Sequence, residues 1–133
     1  MSNITGMLIR VDGLITADVT VNDHNGSHLQ SMYQRVDCHA VDRIELHPGG
    51  QVIDMWVDDE GRINGKTVNL IASILMARSY PDAGILDCLV HGNALLLGVD
   101  LDEGEAIDLP AFEGYAELLA IALAQDDELN NRR

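Results

Sequence analysis

The chain has 133 residues, 47% of them hydrophobic, and it carries 22 Asp and Glu side chains against eight Lys and Arg. This length suits one folded domain with a mostly aliphatic core, which needs neither a disulfide nor a structural metal to be stable. The formal net charge of -14 disfavours contact with nucleic acid phosphates or anionic membranes and favours a partner with a basic surface.

The first part of the chain predicts a β-hairpin followed by a helix. The apolar run 7–11, the turn 12–13 and the alternating residues 14–21 are typical of two paired strands. Apolar residues then recur at helical spacing between 29 and 36.

Two more strands and a second helix are predicted in the middle of the chain. Residues 38–46 and 51–57 are rich in β-branched and apolar side chains, and the turn 47–50 between them indicates an antiparallel pair. Asn69 is suited to cap a helix that Pro81 ends. The side chains expected to form the buried face of this helix are Leu70, Ile71, Ile74 and Leu75.

The last part of the chain predicts another hairpin and a third helix. The apolar runs 85–90 and 94–99 indicate two buried strands, and Pro110 suits the first turn of the final helix. The whole chain 1–133 is thus expected to form a single acidic α+β domain. It should contain a mostly antiparallel sheet of about five or six strands with two or three helices packed on it. Residues 1–6 and 127–133 are expected to fray.

The chain start and the cysteines indicate a cytoplasmic protein. No apolar run reaches the roughly 20 residues of a transmembrane helix, and the chain does not begin with a basic segment followed by an apolar one. Cys38 and Cys88 have no disulfide pattern. We therefore expect reduced cysteines, no membrane contact and no cofactor.

Two groups of side chains have the chemistry of metal ligands without the spacing of a metal site. The first group is Cys38, His39, Cys88 and His91. Its last two members lie three residues apart near a predicted strand end, so they would point to opposite faces and not form a zinc knuckle. The second group is the acidic turn 58–64, which lacks the order of an EF-hand loop. The sequence therefore predicts no metal site.

No catalytic constellation is visible, so we expect the protein not to be an enzyme. Nucleophilic catalysis needs Ser or Cys within reach of an oriented His. Cys38 and His39 are neighbours on a predicted strand, which places their side chains on opposite faces. The sequence contains no nucleophile elbow and no Gly-rich phosphate loop.

The excess of carboxylates points most directly to a function. A net charge of -14 exceeds the magnitude of about 2 to 8 that keeps a small domain soluble. Two acidic turns and an acidic tail could carry rows of carboxylates resembling a DNA backbone. The alternative is a solvated acidic surface that only keeps the protein soluble. The predicted partner-binding residues are Asp58, Asp59, Glu60, Asp100, Asp102, Glu103 and Glu105.

Three segments carry turn and strand-edge motifs. They are Leu8–Gly13, Asp54–Gly61 with Gly65, Asn69 and Ala72, and Gly92–Gly98. Together they resemble a domain family of unknown function found in actinobacteria, their phages and mobile elements, over about residues 7–109. The resemblance implies a compact α+β fold and a phage or plasmid setting. It implies no activity, cofactor or catalytic residue.

These observations lead to two hypotheses. The first is a small acidic accessory protein of phage or plasmid type that binds and modulates a host protein, for example as a DNA mimic or a counter-defence inhibitor. Its partner would be a protein with a basic surface, not nucleic acid or a membrane. The alternative is a small-molecule or nucleotide-binding module with a pocket between sheet and helices, walled by Trp56, Tyr33 or Tyr80.

Overall fold

The alternating and continuous apolar segments pair into one antiparallel sheet, which contains six strands among the residues 2–131 that the computed structural model describes. The strands are β1 (Ile4–Ile9), β2 (Ile15–Val21), β3 (Val41–Leu46), β4 (Ile53–Asp58), β5 (Ala94–Val99) and β6 (Ala106–Ile107). Across the sheet the order is β2-β1-β5-β4-β3, and β6 pairs with the end of β5. The predicted antiparallel sheet of five or six strands is confirmed.

Helices cover both faces of this sheet. Within the described residues they are α1 (Leu29–Val36), α2 (Leu70–Ser79) and α3 (Tyr115–Asn131). α1 packs its buried Met32 and Val36 onto the face that carries Leu95. α2 and α3 cover the opposite face, which carries Met55 and Leu96. The α+β class is therefore confirmed, and none of the described helices combines the length and apolarity needed to cross a membrane.

β5 lies at the centre of the sheet, which explains its continuous apolar sequence. The four residues 94–97 are fully buried, because β1 and β4 flank the strand and side chains from the helices cover both of its faces.

The predicted strand 85–90 is wrong, because this segment begins with the 3₁₀ turn Ile85–Cys88. β1 and β4 already flank residues 94–97 of β5, so no edge remains there for residues 85–90. Val90 bonds to the start of α2 instead. Its N–H donates to Ser73 Oγ at 2.8 Å, and its carbonyl accepts from the Asn69 N–H at 2.7 Å.

α2 begins at the Asn69 cap and ends before Pro81, as predicted. Of its predicted buried face, Ile71 and Leu75 do pack against the core, but the prediction is wrong for Leu70 and Ile74. Leu70 is 71% exposed and Ile74 is 46% exposed. The reason is polar: the Ser73 hydroxyl donates to the Asn69 carbonyl at 2.7 Å while accepting from the segment after the 3₁₀ turn. These bonds turn the Ser73 side of the helix towards the sheet and leave the leucine side outside.

α3 starts at Tyr115, later than Pro110 suggested. Residues 106–109 are held by the sheet, because β6 pairs with β5 and the Leu109 N–H donates to the Thr5 carbonyl at 2.9 Å. The chain can turn into a helix only after it has left this contact.

Both ends of the chain extend further into regular structure than the sequence analysis expected. β1 begins at the buried Ile4, inside the segment 1–6 for which fraying is predicted. α3 continues to Asn131, through most of the segment 127–133. Outside the described residues lie Met1, Arg132 and Arg133.

Candidate functional site

The two acidic turns lie at opposite ends of the sheet. One follows β4 and the other follows β5, and these strands are antiparallel neighbours with Asp54 paired to Leu97 and Trp56 to Leu95. The turns are therefore separated by about 20 Å, the length of a six-residue strand. The predicted carboxylates do not form one row.

The turn after β4 does not present all three of its predicted partner-binding residues. Asp59 and Glu60 are exposed, but the Asp58 side chain is only 4% exposed and its Oδ2 lies 2.6 Å from Lys66 Nζ. Burial opposes ionisation of Asp58, yet the hydrogen bonds from Lys66 and from the Glu60 N–H outweigh it and hold the pKa of this carboxyl below its usual range. Asp58 therefore has a structural partner inside the chain and is not free to meet another protein.

The turn after β5 presents three of its four carboxylates to solvent, whereas Asp100 is half-buried. We call residues 100–105, between β5 and β6, the acidic hairpin. Its backbone is closed by the Asp100 N–H donating to the Glu105 carbonyl at 2.8 Å, and the Asp102 N–H donates to Asp100 Oδ1 at 3.0 Å. Leu101 at its tip is 71% exposed. In residues 2–131 none of its four carboxylates, the fourth belonging to Glu103, forms an ion pair.

The base of the acidic hairpin is anchored to β1. The Asp108 carboxylate accepts a hydrogen bond from the Thr5 N–H at 2.9 Å. Gly98 lets the backbone at Asp108 lie directly against β5, because a Cβ at position 98 would collide with the Asp108 carbonyl oxygen. The hairpin is thus held on a fixed support, which limits the entropy that it would lose on binding.

A polar cleft lies at the other end of the sheet, beside the turn after β4. It consists of two adjoining cavities of about 420 and 440 Å³, which share Asp37, Asn64 and Lys66 as lining residues. The first is also lined by Tyr33, Cys38, His39, Asp58 and Glu60, and the second by Arg10 and Asn93. We call the two together the Lys66 cleft.

Lys66 is placed by close backbone contacts. Its side chain crosses Gly92, where a Cβ would come 3.0 Å from Lys66 Cδ and where φ is +92. It then reaches Asp58 and the Asp37 carbonyl oxygen, while the Lys66 carbonyl is hydrogen-bonded to His91 Nδ1 at 2.9 Å. Lys66 was not among the predicted site residues, although it is the only lysine of the chain and lies between two turns.

The Cys38 thiol in the cleft is subject to the charges of Asp58 and Lys66. Burial, followed by the charge of Asp58, raises the pKa of the Cys38 thiol, so this thiol is a poor nucleophile. No group of three or more His, Cys, Asp and Glu side chains that could hold a metal ion occurs within residues 2–131. Cys88 is buried at the end of the 3₁₀ turn and does not line the Lys66 cleft.

The three aromatic residues predicted to wall a pocket lie apart. Tyr33 lines the Lys66 cleft. Tyr80 lies beyond α2, where its hydroxyl donates to the Glu45 carbonyl and its ring contacts His47 edge-on at 5.7 Å. Trp56 packs into the apolar cluster beneath α1. These side chains project from different elements, and of the three, Tyr33 lines the Lys66 cleft.

Trp56 and its neighbour on β4 carry buried polar atoms without hydrogen bonds. Trp56 Nε1 and Asp54 Oδ2 have no hydrogen-bond partner within the described chain. The Asp54 side chain is 3% exposed and lies 3.8 Å from Arg43 Nη1. Burial raises the pKa of Asp54, with Arg43 opposing and Glu45 adding to the shift.

The geometry defines an α+β domain with an antiparallel sheet, an acidic hairpin at one end and a polar cleft at the other. A family model of a domain of unknown function, DUF3846, matches residues 4–120, so the chain belongs to that family. Neither a curated protein nor a solved structure matches the chain.

Proposed function

We propose that this chain is a binding protein that recognises a basic surface on another protein through the acidic hairpin. The observation that carries the proposal is that Asp102, Glu103 and Glu105 are exposed beside Leu101, on a turn whose base is anchored to β1. In the setting that the family resemblance implies, it would be a cytoplasmic accessory protein of phage or plasmid type that modulates a host protein.

The hairpin combines the two features that a docking loop needs. Its carboxylates accelerate encounter with a cationic surface and select against acidic partners. Leu101 supplies an apolar contact that charge alone does not give, since most binding energy comes from a few desolvated anchors.

DNA mimicry is the form of this proposal in which the partner's basic surface normally holds nucleic acid. The separation of the two acidic turns by about 20 Å favours the hairpin acting alone over a continuous row of charges. A counter-defence inhibitor would then block only the part of the groove that the hairpin fills.

The test is affinity capture from host lysate at low and at high salt. A variant with Asp102→Asn, Glu103→Gln and Glu105→Gln should lose any basic protein that the unmodified chain retains at low salt. The matched control removes the same charge elsewhere, at the exposed residues Asp82, Asp126 and Asp127, and should keep the partner. Equal capture by both variants would show that the hairpin is not the binding site.

The Lys66 cleft supports a second candidate, a small-molecule-binding module. The observation in its favour is that two cavities meet at a fixed ion pair with several polar groups around it. Its carboxylates, Asp37, Asp58 and Glu60, outnumber its cations, Lys66 and Arg10. This balance favours an uncharged or cationic ligand over a nucleotide.

Thermal unfolding with a metabolite panel tests this candidate. A ligand present at 100 times its Kd should add about 2.7 kcal/mol to the free energy of unfolding. Asn64→Ala, at an exposed residue of the cleft, should reduce that gain, whereas Asn130→Ala on α3 should not. A panel without any shift counts against the cleft as a ligand site.

A further inference from the structure

α2 has an apolar outer surface that the chain itself does not cover. Leu70 and Ile74, one helical turn apart, are 71% and 46% exposed. The inner side of the same helix is apolar as well, apart from Ser73, and a helix that is apolar all round is normally buried. Two of the four residues that the sequence predicts to be buried are therefore exposed in the isolated chain.

A groove extends this surface towards α3. It has a volume of about 280 Å³, and Ile74, Leu75 and Ile121 are among the apolar side chains that line it. On the other side of α2 lies the 3₁₀ turn, whose Ile85 and Leu86 are 55% and 78% exposed. Exposed apolar side chains thus occur on three neighbouring elements, which is typical of an interface.

The charges around this surface identify its occupant. α2 carries one charged side chain, Arg78, and no carboxylate, in a chain of net charge -14. Arg78 on α2 and Glu117 on α3 both line the groove, and neither forms an ion pair within residues 2–131. In a symmetric dimer whose copies meet across this groove, Arg78 of each copy would face Glu117 of the other.

We propose that α2, with the groove and the 3₁₀ turn beside it, is a self-association surface through which two copies of this chain form a symmetric dimer. The apolar stripes supply the buried area, and the two reciprocal ion pairs fix the register. The low density of carboxylates on α2 lets two acidic molecules approach there with the least repulsion.

Sedimentation velocity over a range of protein concentrations tests this proposal. The unmodified chain should shift from monomer to dimer as concentration rises. Leu70→Glu should weaken the dimer more than about a hundredfold, because the change occurs twice in a symmetric interface. The matched control is Leu101→Glu, since Leu101 is a leucine of equal 71% exposure on the acidic hairpin, and it should leave the dimer unchanged. Circular dichroism of each variant reports whether the fold is kept.

A charge exchange tests the register. Arg78→Glu alone should weaken the dimer about tenfold, and adding Glu117→Arg should restore it. A chain that stays monomeric at every concentration overturns the proposal, and so does a dimer that Leu70→Glu leaves intact. This outcome is independent of partner binding, because Leu70→Glu leaves the hairpin unchanged and Leu101→Glu leaves α2 unchanged.

Discussion

Asn69 holds three segments of the chain together with one buried side chain, and its removal should cost a large part of the stability. Its Oδ1 accepts from the Ala72 N–H at 3.2 Å, and its Nδ2 donates to the carbonyls of Ile9 at 2.9 Å and Gly92 at 3.1 Å. The residue is 1% exposed. No water can replace these bonds without entering the core.

The magnitude follows from the three bonds. Loss of an N-cap costs about 1 kcal/mol, and each buried carbonyl that loses a donor costs about 1 kcal/mol at the low end of its range. Asn69→Ala should therefore lower the free energy of unfolding by about 3 kcal/mol, out of roughly 5–15 kcal/mol for a whole domain.

Two further substitutions separate the contributions. Asn69→Ser keeps a capping oxygen but cannot bond to both carbonyls, so it should cost about 2 kcal/mol. Asn69→Asp keeps the cap and places a carboxylate against two carbonyl oxygens, so at neutral pH it should be at least as destabilising as Asn69→Ala. Asn64→Ala, at an exposed position, is the control and should stay within about 0.5 kcal/mol.

Urea unfolding followed by circular dichroism measures these differences as shifts in midpoint at a constant denaturant slope. If Asn69→Ala and Asn69→Ser both cost less than about 1 kcal/mol, the bonds to Ile9 and Gly92 do not stabilise the fold and the reasoning fails. The result also concerns the proposed dimer surface, because Asn69 caps α2 and its carbonyl accepts the Ser73 hydrogen bond that helps to turn the Ser73 side of the helix towards the sheet.

Three other predictions concern single side chains. Lys66→Met should lower the free energy of unfolding in urea by about 3 kcal/mol, because it leaves the Asp58 carboxylate buried without a cation. The control Arg10→Met breaks the exposed ion pair with Asp12 and should lower it by less than about 1 kcal/mol. Asp54→Asn should raise the free energy of unfolding at neutral pH, because the pKa of Asp54 is raised in the folded state and its ionised form therefore destabilises the fold. A profile of stability against pH should show that this gain vanishes below about pH 4, where the carboxyl is protonated in the unfolded chain as well. Gly98→Ala should lower the midpoint of thermal unfolding, because the added methyl group would push the backbone at Asp108 away from β5. An unchanged midpoint would contradict this close contact.

Local patterns predicted most of the strands. The first hairpin, the pair formed by β3 and β4, and the continuous apolar strand β5 were all readable, because alternation and turn residues act over a few neighbours. Residues 85–90 have the same apolar composition as a strand, and nothing local shows that both edges of β5 are already taken.

The candidate sites were predictable only in part. The acidic hairpin could be located from its charge and its turn. The burial of Asp58 could not be predicted, because it depends on an ion pair with Lys66, which lies in a later loop and packs its side chain against Gly92. The distance between the acidic turns could not be predicted either, because it follows from the antiparallel pairing of β4 and β5, which the positions of the charged residues in the sequence do not reveal.

Composition and short-range pattern by themselves determined the acidic character, the antiparallel α+β class, the cap of α2 and the turns, since each depends on neighbours in sequence. Tertiary structure alone decided which face of α2 is buried, which carboxylates are paired and which cavities exist. Those features arise where segments distant in sequence meet, and hydrogen bonds such as those of Asn69 and Ser73 there outweigh the apolar stripe of the helix.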